Sequence, residues 1–295
     1  MSAWLAWTLV ALLSWGLWAV LAKLLGNALS AEQSQALSTL GLLPILAPLA
    51  FSSAGSLRGS SRRGLWFALL GGIVSCLGNI NYYGAIARGQ KVATVVSLTA
   101  LYPLVTILLA VLILRERLNR IQLFGLALSL AAIWLFNVQS GTALLSDAIV
   151  FALLPIVLWG LSGFLQKVAT NYLSGQAAAL VYLSAFVPVG IYFAVREPWP
   201  VGADLRTWLL VLALGFFLAF GNFAVLEAFA RGGKASLITP LGGLYPMISV
   251  PIAVIFLREK VSLRESIGIA IALVSVIALS RETVPARTEV VRQEP

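Results

Sequence analysis

Few side chains in this sequence could do covalent chemistry, and what is missing narrows the functions open to it. Histidine does not occur, which removes the commonest proton shuttle and a favoured metal ligand. The single cysteine, Cys76, lies in an apolar run and reads as a packed thiol that has no partner for an internal disulfide. No Cys/His cluster suggests zinc. No Ser/His/Asp set and no pair of carboxylates falls within an apolar run. The Gly-Gly pairs starting at 71, 232 and 242 lack the strand–loop–helix context of a phosphate loop. Neither an enzymatic reaction nor a cofactor or metal is expected. What remains is recognition chemistry: amides, hydroxyls and aromatic rings set among apolar residues, with one acid in their midst.

Their spacing is helical. Ser75, Asn79, Tyr82 and Ile86 recur at three and four residues and share one face. Such a polar stripe should face protein or water rather than lipid. Asn79 and Tyr82 then line a wall, or else act as glue between helices; Asn222 has the same two readings. Trp159, Ser162 and Gln166 form a second stripe. Trp159 lies halfway along its apolar run, away from the interfacial belt where tryptophan usually sits, and could stack on a flat or apolar ligand. Trp15 and Trp18 mirror it near the N-terminus, whereas Trp4, Trp7, Trp66 and Trp208 lie near run ends and read as interface anchors. Tyr102-Pro103 and Tyr245-Pro246 fall mid-run, where proline removes a donor and kinks a helix. Pro103 and Pro246 are hinges or static kinks, and the carbonyl each one frees could bind a ligand or a water. Glu227 is the one acid well inside a run. It is either a proton carrier or the i,i+4 partner of Arg231, with pairing the favoured reading. Glu116 and Glu259 sit in basic loops and read as local pairs or caps of the following helix. Lys23 and Lys167, near run ends, can snorkel to water.

The elements that carry these residues are set by composition. Of the 295 residues 60% are hydrophobic and 11% charged, against about 25% charged in a soluble domain, and mean hydropathy is +0.96. Too little polar surface exists to cover a water-soluble fold. Only helices suit the long apolar runs, because lipid offers open backbone groups no partner, and β-barrel alternation is absent. Ten spans are expected, at 3–25, 34–52, 64–87, 92–114, 120–137, 147–169, 176–195, 206–230, 235–257 and 263–280. The first reads as a retained helix rather than a signal peptide. Residues 282–295 form a charged tail. The net charge of +9 is scattered between runs, the pattern of membrane flanks contacting anionic lipid, so the bilayer is the expected partner and nucleic acid is not.

The second half repeats the first. At an offset of 143, Asn79 falls on Asn222, Arg88-Gly89 on Arg231-Gly232, Tyr102-Pro103 on Tyr245-Pro246, and Arg115-Glu116-Arg117 on Arg258-Glu259-Lys260. At 144, Trp15-Gly16 falls on Trp159-Gly160 and Lys23 on Lys167. Five spans per half is an odd number, so the second half enters the membrane inverted. Repeats of this kind commonly build alternating-access transporters with a midplane site. After the matched pairs cancel, seven Lys/Arg lie on the side of the N-terminus and three opposite. Both termini are therefore expected in the cytoplasm.

These features resemble the drug/metabolite transporter superfamily in its ten-helix form with two EamA-type repeats, at 3–140 and 146–281. The resemblance rests on Trp15-Gly16 and Trp159-Gly160 together with two long matching stretches, "YYGAIARGQKVATVVSLTALYPLVTILLAVLILRERLNRIQLFGLAL" and "AVLEAFARGGKASLITPLGGLYPMISVPIAVIFLREKVSLRESIGIAI". Within the superfamily the chain is similar to YddG-type amino-acid exporters. The resemblance implies an all-α basket around a central cavity, walled by the first, third and fourth helices of each half, with the fifth and tenth at the periphery. It further implies a secondary transporter of the cytoplasmic membrane that exports small metabolites, foremost aromatic and other neutral amino acids. Substrate contacts are then expected from Trp15, Trp18, Asn79, Tyr82, Tyr102, Trp159, Ser162, Asn222 and Tyr245. A transporter of cationic drugs or other metabolites is the alternative, and a non-transporting scaffold a more distant one. With Glu227 held by Arg231, facilitated diffusion is the expected mode.

Overall fold

A computed structural model describes residues 2–26, 28–57, 60–116, 118–137, 147–200, 202–279 and 281. Arg58, Arg117, the joint between the two repeats at 138–146 and the tail at 282–295 lie outside the described residues. The first half runs α1 (Ala3–Leu25), α2 (Ala31–Ser38), a 3-10 turn (Thr39–Leu42), α3 (Leu43–Leu57), α4 (Arg62–Ala87), α5 (Val92–Thr99), α6 (Pro103–Ile113) and α7 (Arg120–Asn137). The second runs α8 (Asp147–Thr170), α9 (Gly175–Ser184), α10 (Phe186–Arg196), α11 (Leu205–Ala230), α12 (Ala235–Gly242), α13 (Pro246–Ile255) and α14 (Leu263–Leu279). The protein is an all-α membrane protein. Among the described residues, eight helical segments, some of them broken pairs, are long and apolar enough to cross a bilayer. Large apolar side chains such as Phe51, Val195, Leu112 and Phe256 stand on the outside, each at least 75% exposed, as lipid contact requires.

Sequence chemistry sets where helices start. Ser30 and Gln33 form a capping box at α2, Ser174 caps α9 through the Ala177 N–H, and Asp204 caps α11 through the Thr207 N–H. Each satisfies an orphan donor of a first turn. Pro103 and Pro246 do more than kink their spans. Each is the first residue of a new helix, where its missing N–H and fixed φ cost nothing. The carbonyls they free are already occupied: Thr99 O accepts the Tyr102 N–H and Gly242 O the Tyr245 N–H.

The two halves pack on each other crosswise. α4 lies along α8 and α1 along α11. Close approach depends on glycine. A Cβ on Gly221 would come within 2.6 Å of the Trp15 ring, and one on Gly78 would strike Trp159. Each tryptophan is therefore seated on a glycine of the opposite half, at the centre of the fold. α7 and α14 pair at the periphery, joined by Ser129 and Ser275 with hydroxyls 2.6 Å apart.

The loop acids cap across the halves rather than locally. Glu259 follows α13 and accepts the N–H groups of Val92 (2.9 Å) and Ala93 (3.0 Å) at the start of α5. Glu116 follows α6 and accepts the Ser236 N–H at the start of α12, at 3.4 Å. Both follow an arginine in the left-handed region, Arg115 at φ 58° and Arg258 at φ 52°. That conformation costs a non-glycine residue about 1–2 kcal/mol, and it recurs in both halves directly before the capping acid.

Candidate functional site

Where α1, α4, α8 and α11 meet, the side chains leave a cavity with about 560 Å³ of empty space, open solvent at its mouth included. Trp15 and Trp18 of α1, Ser75 and Asn79 of α4, and Trp159, Ser162, Gly163 and Gln166 of α8 line it. Leu218, Asn222 and Val225 of α11, Tyr182 of α9, Thr239 of α12 and the two turn residues Tyr102 and Tyr245 complete the wall. None of these described lining residues carries a formal charge.

The tyrosines are placed by the helix breaks. The Tyr102 hydroxyl donates to Thr239 O at 3.1 Å, and the Tyr245 hydroxyl to Val96 O at 3.2 Å. These two bonds are equivalent under the repeat and tie each turn to a broken helix of the other half. The Tyr245 hydroxyl also lies 2.8 Å from Thr99 Oγ1. Trp15 meets Tyr102 edge-on, with ring centroids 6.4 Å apart.

Elsewhere the repeat is broken, and the cavity has two unlike walls. On one, Trp18 stacks on Tyr82 with centroids 4.7 Å apart and donates its indole N–H to the Tyr83 hydroxyl at 3.0 Å. The repeat-equivalent positions are Ser162, Val225 and Leu226, none of them aromatic. Polar residues gather around Ser162 instead. Ser162 Oγ donates to Gly71 O (2.9 Å) and lies 3.1 Å from the Tyr182 hydroxyl; with its own proton committed, it accepts from Tyr182. Gln166 Nε2 donates to Asn222 Oδ1 at 3.1 Å, and Asn222 Nδ2 donates to Leu218 O at 2.9 Å. Trp159 joins the walls. Its ring lies 5.7 Å from Trp18 and 5.6 Å from Tyr82, and its N–H donates to Asn79 Oδ1 at 3.0 Å. Hydrogen bonds between membrane helices are worth about 0.6–2 kcal/mol each, so the network fixes side-chain directions more than it adds stability.

Of the expected contacts, Trp15, Trp18, Asn79, Tyr102, Trp159, Ser162, Asn222 and Tyr245 come together on the cavity. Tyr82 does not. It is fully buried behind Trp18, its hydroxyl donating to Ala19 O at 3.2 Å. Pro103 and Pro246 sit just behind the tyrosines, at the breaks. Glu227 lies outside the cavity lining; its carboxylate is 3.0 Å from Arg231 and packs on Gly175 of α9. The seventh span was not expected to contribute, yet Tyr182 does. It occupies the place of Ser38 in the first half, so the repeat gave no signal for it.

Comparison with known proteins agrees with this architecture. The EamA-like transporter family matches residues 2–138 and again 147–281. An uncharacterised protein of Methanocaldococcus jannaschii is 25% identical over 138 residues, 46% of this chain and 98% of that protein. The uncharacterised transporter YojE of Bacillus subtilis is 30% identical over 165 residues, 54% of this chain and 52% of its own length. A crystal structure of another protein shares the fold with a TM-score of 0.67 at 20% identity, covering 92% of this chain and 96% of that one.

Proposed function

This chain belongs to the EamA-like transporter family, and from that premise we propose that it exports small neutral metabolites, foremost aromatic and other apolar amino acids. The observation that carries the reading is the lining of the cavity. Three tryptophans and two tyrosines offer flat apolar surface, and a facing wall of Ser75, Ser162, Gln166, Tyr182 and Asn222 offers hydrogen bonds, with no formal charge among them. An uncharged wall does not favour a net ion, whose desolvation would go uncompensated. A zwitterion with an apolar side chain suits both walls and carries no net charge.

On this reading α7 and α14 also cross the bilayer, giving ten spans in two inverted five-helix repeats, in the cytoplasmic membrane with both termini inside. The cavity opens alternately to either face, and the breaks at Pro103 and Pro246 are where the broken spans bend. A cationic-drug transporter would call for a carboxylate in the cavity. Glu227, the candidate acid, is instead engaged by Arg231 outside the lining, which also supports facilitated diffusion over proton exchange. The test is counterflow into liposomes holding the purified protein, with a panel of neutral, acidic and basic amino acids and organic cations. Saturable counterflow of phenylalanine or leucine is expected. Counterflow confined to organic cations would refute the proposal.

A further inference from the structure

Among the described side chains, one buried donor in the cavity has nothing to bind. Asn79 is 1% exposed, lines the cavity, and its Nδ2 makes no hydrogen bond. A buried amide donor without a partner is rare in a folded protein, and each instance calls for an explanation. Turning the carboxamide over does not supply one. The indole N–H of Trp159 can only donate, and it points at Asn79 from 3.0 Å. The oxygen must therefore face Trp159, and the NH₂ group must face away from it. The repeat provides an internal comparison. Asn222, the equivalent residue, has its oxygen taken by Gln166 and its NH₂ bonded to Leu218 O. In the first half alanine, Ala22, stands in the place of Gln166, the oxygen of Asn79 is taken by Trp159 instead, and its NH₂ makes no bond to Ser75 O, the counterpart of Leu218 O.

We propose that Asn79 is the specificity-determining contact for an oxygen acceptor on the transported molecule, a carboxylate or amide carbonyl, and that Trp159 is the residue that positions it. The proposal rests on the reading of the central cavity as the transport site. It extends that reading by naming the chemical group that one side chain selects. The amine end of a ligand gains nothing from an NH₂ donor, so Asn79 discriminates between molecules that differ only in the oxygen.

The test is equilibrium binding to the purified full-length protein, using two matched pairs. One pair is phenylalanine and 2-phenylethylamine; the other is 3-phenylpropanamide and 3-phenylpropylamine. The wild type should bind the oxygen-bearing member of a pair at least about tenfold more tightly, the scale of one buried hydrogen bond. Asn79→Ala should cut that preference about tenfold by weakening the oxygen-bearing ligand alone; the margin that remains is the cost of burying the net charge of the amines. Asn79→Asp keeps an oxygen for Trp159 but replaces the donor with an acceptor, and should reverse the preference towards the amines. Trp159→Phe frees the carboxamide to turn and should reduce the preference with Asn79 intact. If phenylalanine is not bound but the amide is, and Asn79→Ala cuts the margin of the amide over its amine, the amino-acid reading fails while the role of Asn79 stands. If phenylalanine is bound and Asn79→Ala leaves its margin over the amine unchanged, the role of Asn79 fails and the amino-acid reading stands. Equal weakening of both members of a pair, or no preference by the wild type in either pair, also overturns the role of Asn79.

Discussion

Replacing Glu259 by alanine removes a cap that one half of the protein lends to the other. The side chain is 8% exposed, accepts the Val92 and Ala93 N–H groups at 2.9 and 3.0 Å, and lies 3.9 Å from Lys23 Nζ. Loss of a helix cap costs about 0.5–2 kcal/mol. Here two donors are left unsatisfied, and bonds to a charged acceptor run about 1.5–3 kcal/mol each. The two bonds together give about 3–6 kcal/mol for Glu259→Ala. Glu259→Gln keeps one acceptor but turns an NH₂ group against the second donor, so about 2 kcal/mol is expected. Glu116, at the equivalent place, has one bond of 3.4 Å, and Glu116→Ala should cost about 1 kcal/mol. Thermal unfolding in detergent at a fixed scan rate reads the difference. At roughly 2–4 °C per kcal/mol for a chain of this size, Glu259→Ala should melt at least about 6 °C below wild type and Glu116→Ala about 2–4 °C below. Equal losses, or a larger loss at Glu116, would refute the assignment of Glu259 as the stronger cap.

Four further outcomes follow from the same geometry. On the proposed orientation, with both termini in the cytoplasm, Ser60→Cys should resist an impermeant thiol reagent applied to intact cells and Ala203→Cys should react; Cys76, fully buried, gives no background, and the reverse pattern overturns the orientation. Glu227→Gln should retain downhill substrate flux in liposomes, and a pH gradient should not concentrate substrate in the wild type; gradient-driven accumulation abolished by Glu227→Gln would make Glu227 the coupling site. Gly215→Ala would drive a methyl group into the Ser38 carbonyl oxygen and to 2.8 Å from Gly41 Cα, so it should lower the yield of monodisperse protein on size-exclusion chromatography by several-fold; wild-type yield would contradict the packing. Arg258→Gly relieves a positive φ of 52° and should raise the melting temperature in the same detergent assay; a fall would show that the arginine side chain outweighs its backbone strain.

Helical spacing made much of the site legible. Asn79, Trp159, Ser162 and Gln166 could be found because residues three and four apart share a face, and a polar face in an apolar helix must meet protein or water. Tyr82 shares that face, yet its outcome depends on where α1 crosses α4, and the Trp18 ring covers it. Spacing within one helix holds no information on that crossing. The cross-repeat caps were hidden for a similar reason. Glu259 sits just before α14 and reads locally as its cap, whereas the N–H groups it serves lie more than 160 positions away in the chain. The prolines announced irregularity at 103 and 246. The break at Thr39–Leu42 carried no comparable mark, because Pro44 and Pro48 fall beyond it.

The likeness of the two halves has an energetic consequence. On the proposed alternating access, identical halves would make the inward-facing and outward-facing states related by a two-fold rotation and equal in free energy, populated one to one. Bias between them can come only from positions where the copies differ. One such difference lies in the capping boxes of α7 and α14. Asn119 and Gln122 form the first, Ser262 and Glu265 the second. Gln122 spends its remaining amide on Leu279 O, whereas Glu265 reaches across to Lys91 at 2.7 Å. Lys91 is 41% exposed, so that pair is worth at most about 1 kcal/mol. Yet about 1.4 kcal/mol is already tenfold in a population. On that reading a handful of unmatched side chains, each minor in the stability of the whole, is sufficient to set which way the molecule faces at rest.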